Sequence, residues 1–170
     1  MAQVSQTQSF YIDCTEEQDN SDKVLQIPQF LIAQCGTLRD ILESCPLFDE
    51  PIPMPCDRTL AMLLLEYCKL HEEHEALATR ESSNDKHDNR GGAKEISFAR
   101  WETEFADDHL CGKTKSDQYQ KDVMLFQLLN FANFLDYCEL LHFVAKVIAV
   151  IIRNNNEEDL RERFGVRDQT

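Results

Sequence analysis

The sequence places two histidines, His71 and His74, at a spacing that suits metal binding. They flank two glutamates in the run HEEH. Residues three positions apart lie on one face of a helix, where two imidazoles can bind zinc. The metalloprotease motif HExxH instead separates its histidines by four positions. This run is one residue short and has no obvious third ligand. We therefore predict solvated charge at a helix end and no metal site, with zinc binding by this pair and the thiols as an open alternative.

The seven cysteines and five histidines include no recognisable nucleophile and base pair. None of the cysteines lies in a glycine-rich elbow or beside a visible base, as nucleophilic catalysis would require. Neither GxxxxGK[ST] nor GxGxxG occurs, and Gly91-Gly92 lies in a charged segment with no strand before it, so it is not a phosphate-binding loop. We predict that the protein has no catalytic residue and no cofactor and is not an enzyme.

The composition indicates a protein of about one domain, and solubility alone can explain its acidic charge. The 170 residues are 42% hydrophobic, which is enough for a core, and 31 acidic against 17 basic side chains give a net charge of −14. That charge repels phosphate backbones and steers the molecule toward basic partner surfaces. We predict no nucleic-acid partner.

The compartment is predicted from three further features. The first residues, MAQVSQTQSF, lack the basic and apolar regions of a secretory signal. The longest apolar run, residues 140–152, is shorter than the roughly twenty residues of a membrane span. The cysteines are odd in number and scattered, without CxxC, which favours reduced thiols. We expect the cytoplasm and nucleus as the location, and no membrane partner.

Short β-prone segments and helices alternate in the first half of the chain. Residues 9–15 and 23–27 predict a hairpin around a polar turn. Helices are expected from residue 29, after Pro28, and from a capping box at Thr37. The three prolines of EPIPMP allow at most an edge strand, and Asp57 is a cap for a helix from Arg58 to about His71.

The second half predicts helices with unusual apolar content. Helices are expected over residues 97–105, 123–135, 139–152 and 159–164, with a polar stretch at 109–118. The helix over 139–152 is polar only at Glu139, His142 and Lys146. A helix that is apolar on all sides must be covered on all sides. Either the N-terminal half of the chain or a partner protein covers it.

Four stretches, in order, resemble the Skp adaptor family of SCF ubiquitin ligases. EPIPMP and the helix ending in Tyr67-Cys68 and His71 are similar to the family's Pro-Val-Pro-Leu-Pro strand and Trp-Cys-x-x-His helix. WETEF at residues 101–105 is similar to Trp-Asp-x-Glu-Phe. From Asn130, NFANFLD and the following helices are similar to the family's Ala-Asn-Tyr-Leu-Asp helix and C-terminal region.

The resemblance implies an α+β chain with a BTB/POZ fold, a small sheet packed on helices, and a C-terminal helical extension that binds F-box proteins. Its expected divisions are a flexible tail (1–8), the N-terminal part of the BTB/POZ domain (9–75), a charged flexible linker (76–96) and a C-terminal helical part (97–170). The stretch between Phe105 and Val123 is longer than in the family, and we expect it to loop out.

The resemblance also implies two partners and no catalysis. A cullin would bind at Asn133 and Phe134, where Phe134 replaces the family's Tyr and keeps its ring area without the hydroxyl. An F-box protein would bind a larger set of apolar positions on the last two helices, namely Ala145, Ile148, Ile152, Leu160, Phe164 and Val166. The implied function is to bridge a cullin to F-box substrate receptors for ubiquitination and proteasomal degradation.

A second hypothesis keeps the fold and changes the function. The family's acidic stretch and Trp-bearing helix, which clamp the F-box, are not in this sequence. A divergent Skp or elongin C-like BTB protein would then self-associate as a homodimer when unpartnered, or bind a different receptor helix.

Overall fold

The computed structural model describes residues 10–15, 23–45, 50–81, 97–112 and 114–165. Within them the chain is mostly helical with a small sheet, which confirms the predicted mixed α+β class. The elements, in chain order, are β1 (Phe10–Cys14), β2 (Val24–Ile27), α1 (Gln29–Gln34), α2 (Gly36–Ser44), β3 (Ile52–Met54), α3 (Arg58–Glu81), α4 (Arg100–His109), α5 (Lys115–Leu135), α6 (Cys138–Asn154) and α7 (Glu157–Phe164).

The described strands form one sheet in the order β2-β1-β3. β1 and β2 pair antiparallel, with Ile12 opposite Leu25, which confirms the predicted hairpin. β3 pairs parallel to β1, with Ile12 opposite Ile52, and lies at the edge, as its prolines required. Alternate residues of all three strands are buried, so one face of the sheet covers the core.

The helix α3 starts as predicted and ends later. The Asp57 carboxylate accepts a hydrogen bond from the Leu60 amide at 2.7 Å, which confirms the predicted cap. The predicted end near His71 is wrong, since α3 continues to Glu81 and occupies the first residues of the predicted linker 76–96. The sequence EEHEALATRE that follows His71 is rich in strong helix formers, which explains the extension. The rest of the linker, residues 82–96, lies outside the described residues, as does the predicted tail, 1–8.

Two local predictions about the other helices are wrong. The capping box at Thr37 does not form, because α2 begins one residue earlier and the Thr37 hydroxyl donates to the carbonyl of Phe134 instead. The stretch expected to loop out between Phe105 and Val123 is mostly helical. α4 runs on to His109 and α5 already begins at Lys115, where the Thr114 hydroxyl accepts from the Asp117 amide.

The core is one cluster of buried side chains from the inner face of the sheet and from the helices α1 to α6. Tyr67 is at its centre, with its ring in contact with those of Trp101, Phe105, Tyr137 and Phe143 at centroid distances from 5.1 to 6.1 Å. These rings come from α3, α4, α6 and the connection between α5 and α6, so their contacts fix these helices relative to one another. No described helix is long and apolar enough to cross a membrane.

Candidate functional site

The end of α5 presents Asn133 and Phe134 to solvent. The helix stops because Asp136 adopts a left-handed conformation, φ 52°, and its amide bonds back to the carbonyls of the last turn. Two hydrogen bonds from the N-terminus of α2 stabilise this turn. The Thr37 hydroxyl donates to the Phe134 carbonyl at 2.7 Å, and the Gly36 amide donates to the Asp136 carbonyl at 3.3 Å. The backbone of the predicted cullin-binding pair is therefore fixed while its side chains stay accessible.

Gly36 makes this close approach between α2 and α5 possible. A Cβ atom at this position would lie 2.2 Å from the Asp136 Oδ2 atom and 3.1 Å from its Cβ atom. The sequence indicated only that Gly36 interrupts a helix. In the structure it is the first residue of α2, and its missing side chain lets α2 contact the end of α5.

Phe134 borders a shallow cleft of about 290 Å³. Its side chain is 45% exposed, and its ring lies nearly parallel to that of Phe131, at 6.4 Å between centroids. The lining is apolar and amide side chains, without charge, namely Pro55, Leu60, Gln127, Asn130, Phe131 and Phe134. The rings of Phe131 and Phe134, with the amide groups of Gln127 and Asn130 beside them, suit a protein segment that inserts an apolar side chain into the cleft. Sequence reasoning missed Gln127 and Asn130, although their spacing from Phe134 puts them on one helix face.

The three predicted residues on α6 share one face beside the buried face of that helix. The core side is formed by Leu140, Phe143, Val144 and Val147. Ala145 is exposed, Ile148 is half-buried against the core, and Ile152 is 53% exposed. The sequence prediction of a helix apolar beyond its core face is therefore confirmed. Within the described residues, the rest of the chain leaves Ala145 and Ile152 of this face exposed and covers Ile148 only in part.

The predicted residues on α7 lie on a short helix at the surface. The Asn156 side chain caps it by accepting from the Asp159 amide at 2.8 Å, and Gly165 ends it with φ 66°. Leu160 and Phe164 are half-buried, and the Phe164 ring stands edge-on to Phe126 of α5 at 5.6 Å. The remaining predicted residue, Val166, lies outside the described residues.

A stripe of exposed apolar side chains on α5 was not predicted. Tyr119, Val123 and Phe126 are all at least 40% exposed and are spaced to lie on one helix face that leads to Phe164. The sequence interpretation missed the stripe because it assigned the polar residues before Val123 to a loop. The i, i+4, i+7 spacing of these three residues is the pattern that could have identified it.

The two histidines considered for metal binding have aromatic partners. His71 Nδ1 and the Tyr137 hydroxyl share a hydrogen bond at 3.2 Å, and the His74 ring stacks on Trp101 at 5.4 Å with 7° between the planes. Among the described residues, no three His, Cys, Asp or Glu side chains are grouped closely enough to hold a metal ion. Packing accounts for both histidines.

Burial protects two of the thiols from ionisation. All seven cysteines lie in the described segments, and none is in a disulfide. Cys35 and Cys68 are buried, and desolvation raises the pKa of each from the ordinary value of 9.0 to about 12. A nucleophilic cysteine needs a lowered pKa, so these two side chains have the opposite of what catalysis requires.

We expect the raised pKa values of Cys35 and Cys68 to limit their alkylation and to make the free energy of unfolding depend on pH above pH 9. At pH 8.5 iodoacetamide should modify the exposed Cys45 and Cys138 and leave Cys35 and Cys68 unmodified, as mass spectrometry of the native protein can measure. The folded state keeps protons that the unfolded state releases above pH 9, so stability should fall as pH rises from 9 toward 12. Equal labelling of buried and exposed cysteines in the native protein would contradict this assignment.

Comparison with known proteins finds several relatives along most of the chain. The sequence is 26% identical over 152 residues to the SCF ubiquitin ligase complex protein SKP1a of Dictyostelium discoideum, covering 89% of this chain and 82% of that protein. It is 30% identical over 146 residues to SKP1-like protein 4 of Arabidopsis thaliana, covering 84% and 77%. It is 26% identical over 149 residues to suppressor of kinetochore protein 1 of Schizosaccharomyces pombe, covering 87% and 81%. No protein-family model matches the sequence.

Proposed function

Because this chain belongs to the Skp1 family, we propose that it is a non-catalytic adaptor subunit of an SCF-type E3 ubiquitin ligase. In this role it binds the N-terminal region of a cullin with one surface and the F-box of a substrate receptor with another. Its relatives include proteins named as SCF subunits in Dictyostelium discoideum and Talaromyces marneffei, which supports the assignment. An adaptor of this kind promotes ubiquitination by raising the local concentration of substrate, without an active site of its own.

The observation that carries this proposal is the position of two exposed aromatic groups on α5. Phe134 lies at the C-terminal end of the helix, and Phe126, in contact with Phe164, lies about 12 Å away along the axis at 1.5 Å per residue. One rigid helix therefore carries part of both proposed surfaces. Two partners can bind without competing for the same residues, as bridging requires.

The fold and compartment belong to the same proposal. We propose that the sheet and the helices up to α5 form a BTB/POZ domain, with α6 and α7 as the receptor-binding extension. The order β2-β1-β3 and the helices packed on one face of the sheet are compatible with that fold. We propose the cytoplasm and nucleus as the compartments, in line with seven cysteines outside disulfides.

The exposed face of α6 also supports self-association when no receptor is present. Ile152 is more than half exposed, and an apolar surface of this kind favours contact with a second copy over contact with water. We propose that an F-box displaces this contact. A stable homodimer that excludes receptors is the alternative function, that of a divergent or elongin C-like BTB protein.

Co-expression with a single F-box domain tests the receptor half of the proposal. We expect a stable one-to-one complex by size exclusion with light scattering, and oligomers or aggregates when the chain is expressed alone. The proposal fails if the protein alone is monomeric and binds none of a panel of F-box domains. A dimer that persists in the presence of every F-box tested would favour the alternative.

A further inference from the structure

The short helix α7 is held by little burial, since Leu160 and Phe164 are only half-buried. Its eight residues include no buried side chain. A helix of this length is marginal in water unless tertiary contacts stabilise it. Its contacts with the rest of the protein therefore decide where Leu160 and Phe164 are presented.

A bidentate ion pair fixes α7 to α5. The Arg163 guanidinium donates from Nε to Asp122 Oδ2 at 2.9 Å and from Nη2 to Asp122 Oδ1 at 2.6 Å. The Asp122 side chain is 5% exposed, and Asp122 is the only buried charged residue among those that the structure describes. Removing one partner of such a pair leaves the other charge buried and uncompensated, which costs far more than breaking a surface pair.

Asp122 is itself held by the connection between α4 and α5. The Gln118 amide nitrogen donates to Asp122 Oδ1 at 2.9 Å, and the Gly112 amide donates to the Gln118 side-chain oxygen at 2.9 Å. A Cβ atom on Gly112 would lie 2.3 Å from the Gln118 backbone, so this contact needs a glycine. We term this series of hydrogen bonds, Gly112–Gln118–Asp122–Arg163, the α7 bracket. Three of its four residues lie between Phe105 and Val123, the stretch that is longer than in the family.

We propose that the α7 bracket positions the receptor-binding residues of α7 in the free protein, so that Arg163 and Asp122 control receptor affinity without contacting the receptor. This inference rests on the proposed F-box function. The bracket holds the Arg163 guanidinium 5.7 Å from the Phe164 ring and keeps that ring against Phe126. If α7 is already ordered in the free protein, it loses less conformational entropy when the F-box binds, and the affinity for the F-box is higher. Arg163 and Asp122 are thus positioning residues.

Matched arginine substitutions on α7 test the bracket. Arg163→Met removes the buried pair, whereas Arg161→Met removes the same charge from the exposed pair that Arg161 forms with Glu157. With Arg163→Met, we expect hydrogen exchange of the amides of residues 160–164 to accelerate at least roughly tenfold and affinity for an F-box domain to fall by a similar factor. With Arg161→Met, both changes should stay below about threefold, as for an exposed pair.

Variants on α5 keep the test informative if Arg163→Met folds poorly. Asp122→Asn preserves the shape of the side chain and should loosen α7 to a similar degree. The double variant Asp122→Asn/Arg163→Met should lose no more affinity than the worse single variant, because both remove one interaction. Gln118→Ala keeps both charges and should give a smaller loss. The exchange of core amides in α3 and α5 reports whether the rest of the fold is unchanged.

Each outcome separates this inference from the proposed function. Unchanged exchange in α7 with Arg163→Met would overturn the bracket. Faster exchange in α7 with unchanged F-box affinity would overturn its positioning role. If the unaltered protein binds no F-box, the proposed function fails, while the exchange data still decide whether the bracket holds α7.

Discussion

Replacing Ile152 with aspartate is expected to reduce affinity for an F-box domain by roughly a hundredfold or more. Ile152 is 53% exposed on the uncovered face of α6, so the protein alone can accommodate the carboxylate in water. In the complex the same carboxylate would be buried without a partner, at a cost of several kcal/mol, and about 2.7 kcal/mol already corresponds to a hundredfold. Calorimetric titration of the purified variant with an F-box domain measures the loss.

Asn154→Asp is the matched control for this substitution. Asn154 is exposed on α6, and its spacing puts it on the side away from Ala145, Ile148 and Ile152, so the same carboxylate there should change affinity by less than about threefold. The thermal unfolding midpoints of the two variants should be similar. If Ile152→Asp binds as tightly as the unaltered protein, α6 is not part of a receptor surface.

Truncating Asn133 and Phe134 together to alanine is expected to weaken cullin binding by roughly thirtyfold or more and to leave F-box binding intact. An aromatic side chain at the centre of an interface typically contributes 2 kcal/mol or more, which corresponds to about thirtyfold. Phe134 is 45% exposed and borders an uncharged cleft, so its truncation removes contact area with little effect on the fold. Surface plasmon resonance with an immobilised cullin N-terminal region measures the change.

Phe126→Ala provides the reciprocal control on the same helix. Phe126 is 40% exposed and contacts Phe164, so its truncation should weaken F-box binding and leave cullin binding unchanged. Cullin affinity that is insensitive to the Asn133 and Phe134 substitutions would show that the end of α5 is not the cullin surface. Loss of both partners in both variants would indicate general damage to the helix.

The elements that depend on local sequence were predictable. The hairpin follows from alternating residues around a polar turn, and the edge position of β3 follows from its prolines. The cap at Asp57 was recognisable for the same reason, since its partner is three residues away. In each case the interactions that decide the structure lie within a few residues of each other.

Contacts distant in sequence were not predictable from local patterns. The sequence pattern predicts a capping box at Thr37, yet the Thr37 hydroxyl donates its hydrogen bond to the carbonyl of Phe134, 97 positions away. The pattern before Val123 predicts a loop because Asp122 and Gln118 carry no apolar periodicity. Their partners, Arg163 and Gly112, become apparent only once α5 and α7 are packed together.

The candidate site was predictable in part. The face formed by Ala145, Ile148 and Ile152 follows from helical spacing in an unusually apolar segment, and the structure leaves Ile152 exposed. The choice of Asn133 and Phe134 rested on the family resemblance, since two exposed residues at a helix end have no distinctive pattern. The cleft beside Phe134 includes Pro55 and Leu60 from another part of the chain, which no spacing rule could associate with α5.

Assembly of three purified proteins tests the central claim of bridging most directly. The unaltered chain, a cullin N-terminal region and an F-box domain would be mixed and analysed by size exclusion with light scattering. We predict a single complex of one copy each, which does not form when the chain is omitted or when Ile152→Asp replaces it. If the cullin region and the F-box domain displace one another from the chain, the two surfaces overlap and the protein is not a bridging adaptor.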